Sequence, residues 1–352
     1  MRRLGSCKAP RARRFSARMN RTAFVPATFF LALSAAACSA LPDRTRAADD
    51  TPAPTSKKLA EMIAETSELL SEPKELTLFR IAYPDVDFSA SFDEEKNDWK
   101  ITIAVPKRQE PGTFWWASGR FLPEEELRNA DRYWPVIYSY ASVLEDPEDF
   151  DEERIRRVKE YSSSESRKNG AGTPPFFFDF LYSADSQREI ESHIVQATFL
   201  NRRTRIHERI RKPLRRVEEK IVALARNDGR VADFVASIQS SDAYHWRIID
   251  GTTRKSFHSY GIAVDVLPRS LGGKAIFWSW EKDRNPDGWM VLPLSRRWMP
   301  PDEVVRIFEE EGFIWGGKWG IWDNMHFEYH PELILNTFGL NALARQQDEP
   351  LP

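Results

Sequence analysis

The sequence predicts an α+β fold: a small antiparallel sheet with flanking helices at the C-terminal end, preceded by a long helical segment and a β-containing N-terminal region. Three observations carry this reading. Residues 86–121 alternate apolar and polar side chains at the strand period of two. Residues 185–211 repeat isoleucines and alanine at helical spacing. After Ala243 both patterns give way to short apolar runs rich in glycine and tryptophan, which suits short strands joined by structured loops.

Taken in order, the first 18 residues are rich in arginine and contain no acid, and an apolar run from Thr22 to about Ala40 follows. A basic region, a short apolar stretch and small residues at its end make residues 1–41 a secretory signal, too short for a spanning helix. Ala35-Ala36-Ala37-Cys38 also resembles a lipoprotein cleavage box, with Cys38 as the lipidated residue and a membrane tether as the alternative to release. Residues 42–58, rich in Pro, Thr, Ala and Asp, read as a flexible tether. Leu59, Met62, Ile63, Leu69 and Leu70 have helical spacing.

Strands are expected at 88–92, 99–105 and 113–117, with Asn97-Asp98 turning the first hairpin. Residues 144–160 are strongly acidic, and the Ser/Gly/Pro-rich stretch 162–175 reads as a mobile loop. In the helical pattern of 185–211, Ile190, Ile194, Ala197, Ile206 and Ile210 share a face. Pro213 should end or kink it before the period resumes over 214–225. His193 and His207 fall on this helix as surface or packing residues, and its arginines, interspersed with Glu, read as a solvated face. Residues 301–311 form a credible helix, with Pro301, Asp302 and Glu303 in its first turn and Gly312 as its stop. The resulting organisation is an N-terminal region of unknown role at 59–184 and a domain at 185–345 whose motif core is 243–333.

Charge and cysteine usage narrow the class. Eight of the 51 Lys/Arg and none of the 53 Asp/Glu lie in residues 1–38, so the remainder carries a net −10. An acidic chain argues against nucleic acid as a partner, because binding phosphates needs a basic surface. Cys7 and Cys38 both precede the folded part, which must therefore be held by core burial or metal and not by disulfides.

Two segments carry the chemistry. The first is Ser256-Phe257-His258-Ser259-Tyr260-Gly261-Ile262-Ala263-Val264-Asp265, and the second is Asp323-Asn324-Met325-His326-Phe327-Glu328. If 262–267 is a strand, Ile262, Val264 and Val266 share one face while Ala263 and Asp265 share the other, leaving a carboxylate among apolar neighbours. If 325–329 is a strand, His326 and Glu328 lie on one face. Two imidazoles, one carboxylate at ligand spacing and a spare carboxylate three residues before the last histidine are the inventory of a catalytic zinc site.

These residues resemble the zinc D-alanyl-D-alanine carboxypeptidase (VanY-like) family, within the superfamily that includes lysostaphin and hedgehog domains. Ser256, His258, Gly261, Ala263 and Asp265 fill the fixed positions of its S-x-H-x-x-G-x-A-x-D signature, and Trp315-Gly-Gly-Lys-Trp319 followed by Asp323-x-x-His326-Phe-Glu resembles its cell-wall branch. The resemblance covers residues 243–333. It implies His258, Asp265 and His326 as zinc ligands, Asp323 as the general base, where glutamate is common in the family, and Arg247 as the contact to a substrate carbonyl or carboxylate, with Arg254 nearby as a rival. Ser256, Tyr260 and Trp319 are expected at the substrate, and His245 and His330 flank the motifs as candidates to orient a ligand. Trp322 and Phe277-Trp278-Ser-Trp280 either wall the cleft or pack in the core.

The resemblance implies an exported zinc peptidase of the periplasm or cell envelope acting on peptidoglycan stem peptides. Removal of terminal D-alanine is the first expectation and endopeptidase cleavage the second. A non-catalytic, metal-stabilised wall-binding domain is the rival class, against which the spare carboxylate Asp323 argues.

Overall fold

The structure, a computed structural model, describes residues 71–339. The expected signal, Cys38, the tether and the helix at 59–70 lie outside the described residues, which all fall in one unit, Ser56–Pro352.

Helix α1 (Leu76–Ala82) leads into a three-stranded antiparallel sheet of β1 (Asp87–Asp93), β2 (Asp98–Ala104) and β3 (Gly112–Trp115). The hairpin turns where the sequence predicts it, with Asn97 at φ 51, a conformation asparagine tolerates better than most residues. Ile101 and Ile103 of β2 alternate inward and are fully buried. An aromatic cluster covers them, in which Phe121 and Phe177 stack at 4.9 Å and Phe79 meets both edge-on.

The loop expectation at 162–175 is corrected. Asp151 caps α2 (Glu152–Tyr161) and Ser163 caps a short α3 (Ser164–Asn169), each accepting from the backbone N–H three residues on. Proline then opens α4 (Pro175–Leu181).

The helix expected over 185–211 is corrected too. Only α5 (Gln187–Glu191) forms there, and β4 (Ile194–Phe199) and β5 (Arg202–His207) make an antiparallel hairpin. Leu200 and Asn201 both take positive φ (47° and 61°), as a two-residue type I′ turn requires. In β5 the exposed Arg203 and Arg205 alternate with the buried Thr204 and Ile206, a period of two that outweighs the isoleucine spacing. The long helix is α6 (Arg211–Ala225), and Pro213 sits harmlessly in its first turn.

After α7 (Gly229–Ser237), capped by Asp228, comes the sheet that carries the site. Its strands β6 (Ile238–Asp242), β7 (Ala263–Pro268), β8 (Phe313–Trp315) and β9 (His326–Tyr329) run antiparallel in the order β6-β7-β9-β8. Between β7 and β8 lie α8 (Trp278–Arg284) and α9 (Asp302–Glu310). Helix α9 starts on Asp302 and Glu303 as expected and buries Val304, Val305, Ile307 and Phe308, the last stacked 3.8 Å from Phe327 of β9. The last element, α10 (Pro331–Phe338), lies against α1. One hydrophobic core runs continuously from Leu76 to Leu335, and a smaller one joins Val158 of α2 to Trp278, Trp289 and Trp322.

Candidate metal centre

Each ligand candidate is held by a local device. Ser256 ends the preceding loop, and its hydroxyl accepts from the His258 N–H at 3.3 Å, starting a 3-10 turn over Phe257–Tyr260. Gly261 ends that turn at φ +68; a Cβ there would lie 2.6 Å from Ile194 Cδ1 and 2.8 Å from the His207 nitrogen. The chain then enters β7, where Asp265 pairs directly across from His326 of β9.

This register gathers the ligand atoms. Atoms of His258, Asp265 and His326 all lie within 4.8 Å of one another. His258 Nδ1 is 2.6 Å from the Ala243 carbonyl, so it carries the proton, and Nε2 is left facing Asp265 Oδ2 at 3.2 Å. His326 turns Nδ1 to Asp265 Oδ1 at 2.7 Å and Nε2 to Glu328 Oε1 at 2.8 Å. Burial pushes the Asp265 carboxyl up, but His258 and His326 overcome that and hold it well below the usual carboxylate range. Burial likewise works against a charged His326, yet Asp265 and Glu328 raise its pKa well above the usual imidazole range.

The donor set fits a divalent cation. His258 Nε2 is a buried nitrogen that makes no hydrogen bond among the described residues, though it points at a carboxylate. An atom of that kind is costly unless something else binds it. Two imidazole nitrogens and one carboxylate oxygen match a zinc-type site with a position left open.

Asp323 stands beside this set on the loop before β9. Its N–H donates to the Gly316 carbonyl at 3.0 Å, and its own carbonyl accepts from the His326 N–H at 3.3 Å. A Cβ on Gly316 would meet the Asp323 carbonyl at 2.7 Å, so only glycine lets the loop close this tightly. Asp323 Oδ1 is shielded and finds no hydrogen-bond partner among the described residues. Burial pushes this carboxyl up to about 7, with His326 opposing and Asp265 adding to the rise. Lys318 pins the same loop: its ammonium, almost wholly buried, reaches Glu309 of α9 at 2.6 Å and the Ser142 carbonyl at 3.0 Å. Tyr140 donates to the same Glu309 carboxylate and accepts from the Trp315 N–H.

The remaining predicted residues divide. Trp319 is half-buried with its ring 5.6 Å from His326, beside the ligands. Arg247 is exposed, and its guanidinium forms no hydrogen bond or ion pair among the described residues. Its backbone is tied down, donating to Ser259 Oγ at 2.8 Å and accepting from the Ser256 N–H at 3.1 Å. Its rival Arg254 is spent on structure, donating to the carbonyls of Ala171 and Arg167 at 3.3 and 3.1 Å.

Two expectations are corrected. Tyr260 is buried and gives its hydroxyl to Asp179 at 2.8 Å, so it supports the ligand turn from behind instead of meeting a substrate. Ser256, also buried, is the cap described above. Trp278 and Trp322 pack in the smaller core and do not line the cleft, while Trp280 stays exposed. His193 and His207 border the β4–β5 hairpin with stacked rings, not a helix. His245 is exposed, with its N–H on the His258 carbonyl.

Sequence reasoning missed a buried polar series. Glu328 Oε2 lies 3.4 Å from His330 Nε2, His330 Nδ1 lies 2.8 Å from Glu332 Oε1, and Tyr83 donates to Glu332 Oε2 at 2.7 Å. The signal was available: His326, Glu328, His330 and Glu332 recur every second residue, imidazole and carboxylate in turn. His326 and His330 draw Glu328 down to about 2 against its burial. Glu332 and Glu328 lift His330 to about 9 against the same effect.

A histidine–aspartate–histidine cluster with a neighbouring carboxylate, in which Asp265 and His326 face each other on paired strands and His258 stands on the turn before them, has the donor set of a metallopeptidase centre. Comparison with known proteins agrees and makes it specific. The family model described as D-alanyl-D-alanine carboxypeptidase matches residues 250–329, the part of the chain that holds both ligand segments. A second family model, a domain of unknown function, matches residues 75–138. Over 78 residues the chain is 36% identical to the peptidoglycan L-alanyl-D-glutamate endopeptidase CwlK of Bacillus subtilis (strain 168), a match spanning 22% of this chain and 41% of that protein. The chain thus aligns with less than half of that relative's length. No solved structure matches.

Proposed function

We propose that this chain is an exported zinc peptidase that hydrolyses amide bonds in peptidoglycan stem peptides, with removal of a terminal D-alanine as its main reaction. The convergence of His258, Asp265 and His326 carries the reading, with Asp323 beside them and one of its carboxylate oxygens left without a hydrogen-bond partner.

His258, Asp265 and His326 would hold zinc, which would supply Lewis acidity for the scissile carbonyl and for water near neutral pH. The chain's own residues do the rest. Asp323, ionised, accepts the proton of the attacking water and returns it to the leaving amine. His258 is kept in the tautomer that offers Nε2 by its bond to the Ala243 carbonyl. Trp319 walls one side and excludes solvent. Arg247, unpaired and on an anchored loop, offers a forked donor to a substrate's terminal carboxylate, which favours the carboxypeptidase reading. The likeness to an L-alanyl-D-glutamate endopeptidase favours cleavage within the stem as the second reading. A binding-only domain would have no use for the free Asp323 carboxylate. Export, and a lipid anchor at Cys38, rest on residues 1–41 alone.

The test is mass spectrometry of a stem pentapeptide and a cross-linked dimer after incubation with the zinc-loaded protein, beside Asp323→Ala. Loss of one alanine assigns a carboxypeptidase, and scission within the stem or cross-link an endopeptidase. Intact substrates with zinc bound and the fold retained would sink both.

A further inference from the structure

We infer that Tyr83 and Glu332 are positioning residues of the metal centre, acting on His326 through His330 and Glu328; this rests on the metal-binding role proposed for His326. The argument starts from what His326 needs. Its Nδ1 faces the ligand cluster, so ring orientation and the placement of its other proton depend on whatever holds Nε2, and that is Glu328 at 2.8 Å.

Glu328 is itself positioned from behind. Its second oxygen meets His330 Nε2 at 3.4 Å, and His330 reaches Glu332 through Nδ1 at 2.8 Å. Glu332 has no exposed surface and uses its other oxygen to accept from Tyr83 at 2.7 Å. Imidazole and carboxylate alternate along the whole line: His326 to Glu328 and His330 to Glu332 are hydrogen-bonded at 2.8 Å, His330 Nε2 stands 3.4 Å from Glu328 as an ion-pair contact, and the Tyr83 hydroxyl closes it. The two carboxylates and the imidazole between them hold the His326 ring from the side away from the ligand cluster, so its Nδ1 is presented to a cation in one orientation.

The surroundings strengthen this coupling. Phe178 and Phe257 pack edge-on against His330 with ring centres 5.4 and 4.6 Å away, keeping water out of the line. A buried ionic series of this kind is a poor way to stabilise a fold, since apolar side chains of like volume do as well or better. Its direction, leading to a ligand histidine, supplies the reason for it. Tyr83 follows α1, inside the segment matched by the family of unknown function. Residues 75–138 thereby reach the metal centre through one hydroxyl.

The experiment measures zinc dissociation constants of the full chain by competition with a chromophoric chelator, with thermal melts alongside. Variants are Glu332→Gln, Tyr83→Phe, the ligand control His258→Ala and the packing control Ile103→Val, which thins the same core away from the line. Glu332→Gln should weaken zinc about 10-fold or more and Tyr83→Phe several-fold, with Ile103→Val within about twofold of the parent. Should Glu332→Gln fail to fold, Tyr83→Phe decides. Parental affinity in Tyr83→Phe and Glu332→Gln, with zinc lost in His258→Ala, overturns the inference and leaves the metal reading standing. No zinc uptake by the parent chain overturns both.

Discussion

Asp265 and His326 face each other directly across β7 and β9, with Oδ1 2.7 Å from Nδ1, and this pair decides which imidazole nitrogen the site presents. A slip of one residue would bring Phe327 into that place and turn the histidine to the opposite face of the sheet. The register is held from both sides, by the β8 pairing of Phe327 with Trp315 and by the stacking of Phe327 on Phe308.

Asp265→Asn keeps the shape of that pair and removes its charge. Zinc affinity should fall by more than the about 10- to 100-fold that changes outside the ligand set cost, because Asp265 supplies a ligand oxygen itself. Isothermal titration with the folded variant checks it; affinity unchanged within a factor of two would remove Asp265 from the ligand set.

Asp323 accepts a proton only when ionised, and burial pushes its carboxyl up to about 7. A bound cation draws that value down, so kcat/KM should rise with pH and level off at or below about 7. Asp323→Asn should lose about 10² to 10⁴ in rate together with this acid limb. A pH–rate profile of the parent that stays flat down to pH 4 would exclude the role.

Gly316→Ala places a methyl 2.7 Å from the Asp323 carbonyl. The backbone must shift and carry Asp323 with it, so kcat should drop about 10-fold or more while zinc affinity changes little. Loss of zinc in step with activity would show instead that the loop sets the ligands.

His207 is kept neutral: its Nδ1 accepts from the Arg209 N–H at 3.1 Å, and its Nε2 lies 3.2 Å from the Tyr182 carbonyl. Burial, with Arg209 and His193 nearby, lowers its pKa from 6.5 to about 3. The folded value is depressed, so the stability it contributes is complete above pH 6.5 and drains away as pH falls towards 3, at about 1.4 kcal/mol per unit. His207→Gln cannot take up that proton. Urea unfolding at pH 7, 5 and 4 should show a smaller acid loss in the variant than in the parent, and equal losses would refute this.

Two of the ligand side chains were legible in the sequence because they sit on strands whose alternation fixes their faces, Asp265 beside Ala263 and His326 beside Glu328, while His258 was legible from its spacing to Gly261 and Asp265. Helix α9 was legible from its first-turn acids and its glycine stop. The hairpin at 194–207 was not, because Ile190, Ile194, Ala197 and Ile206 fit the helical period as well, and only Leu200-Asn201 marks the turn without a glycine. Nor were the roles of Ser256 and Tyr260, since sequence spacing cannot tell a cap or a buried hydroxyl from a substrate contact. The partner of Tyr140, Glu309, and of Tyr83, Glu332, lie 169 and 249 residues away, beyond any local pattern.

The packing of α1 against α10 brings the two ends of the described chain side by side. During synthesis α1 therefore waits for α10, the last helix among the described residues, before it finds this partner. A chain cut just after β9 holds every candidate ligand in its sequence and lacks the helix that closes the core over α1. Such long-range closure makes for slow folding. It also ties the order of events in the life of the molecule, since α1 meets this packing partner only after residues 331–338 have been made.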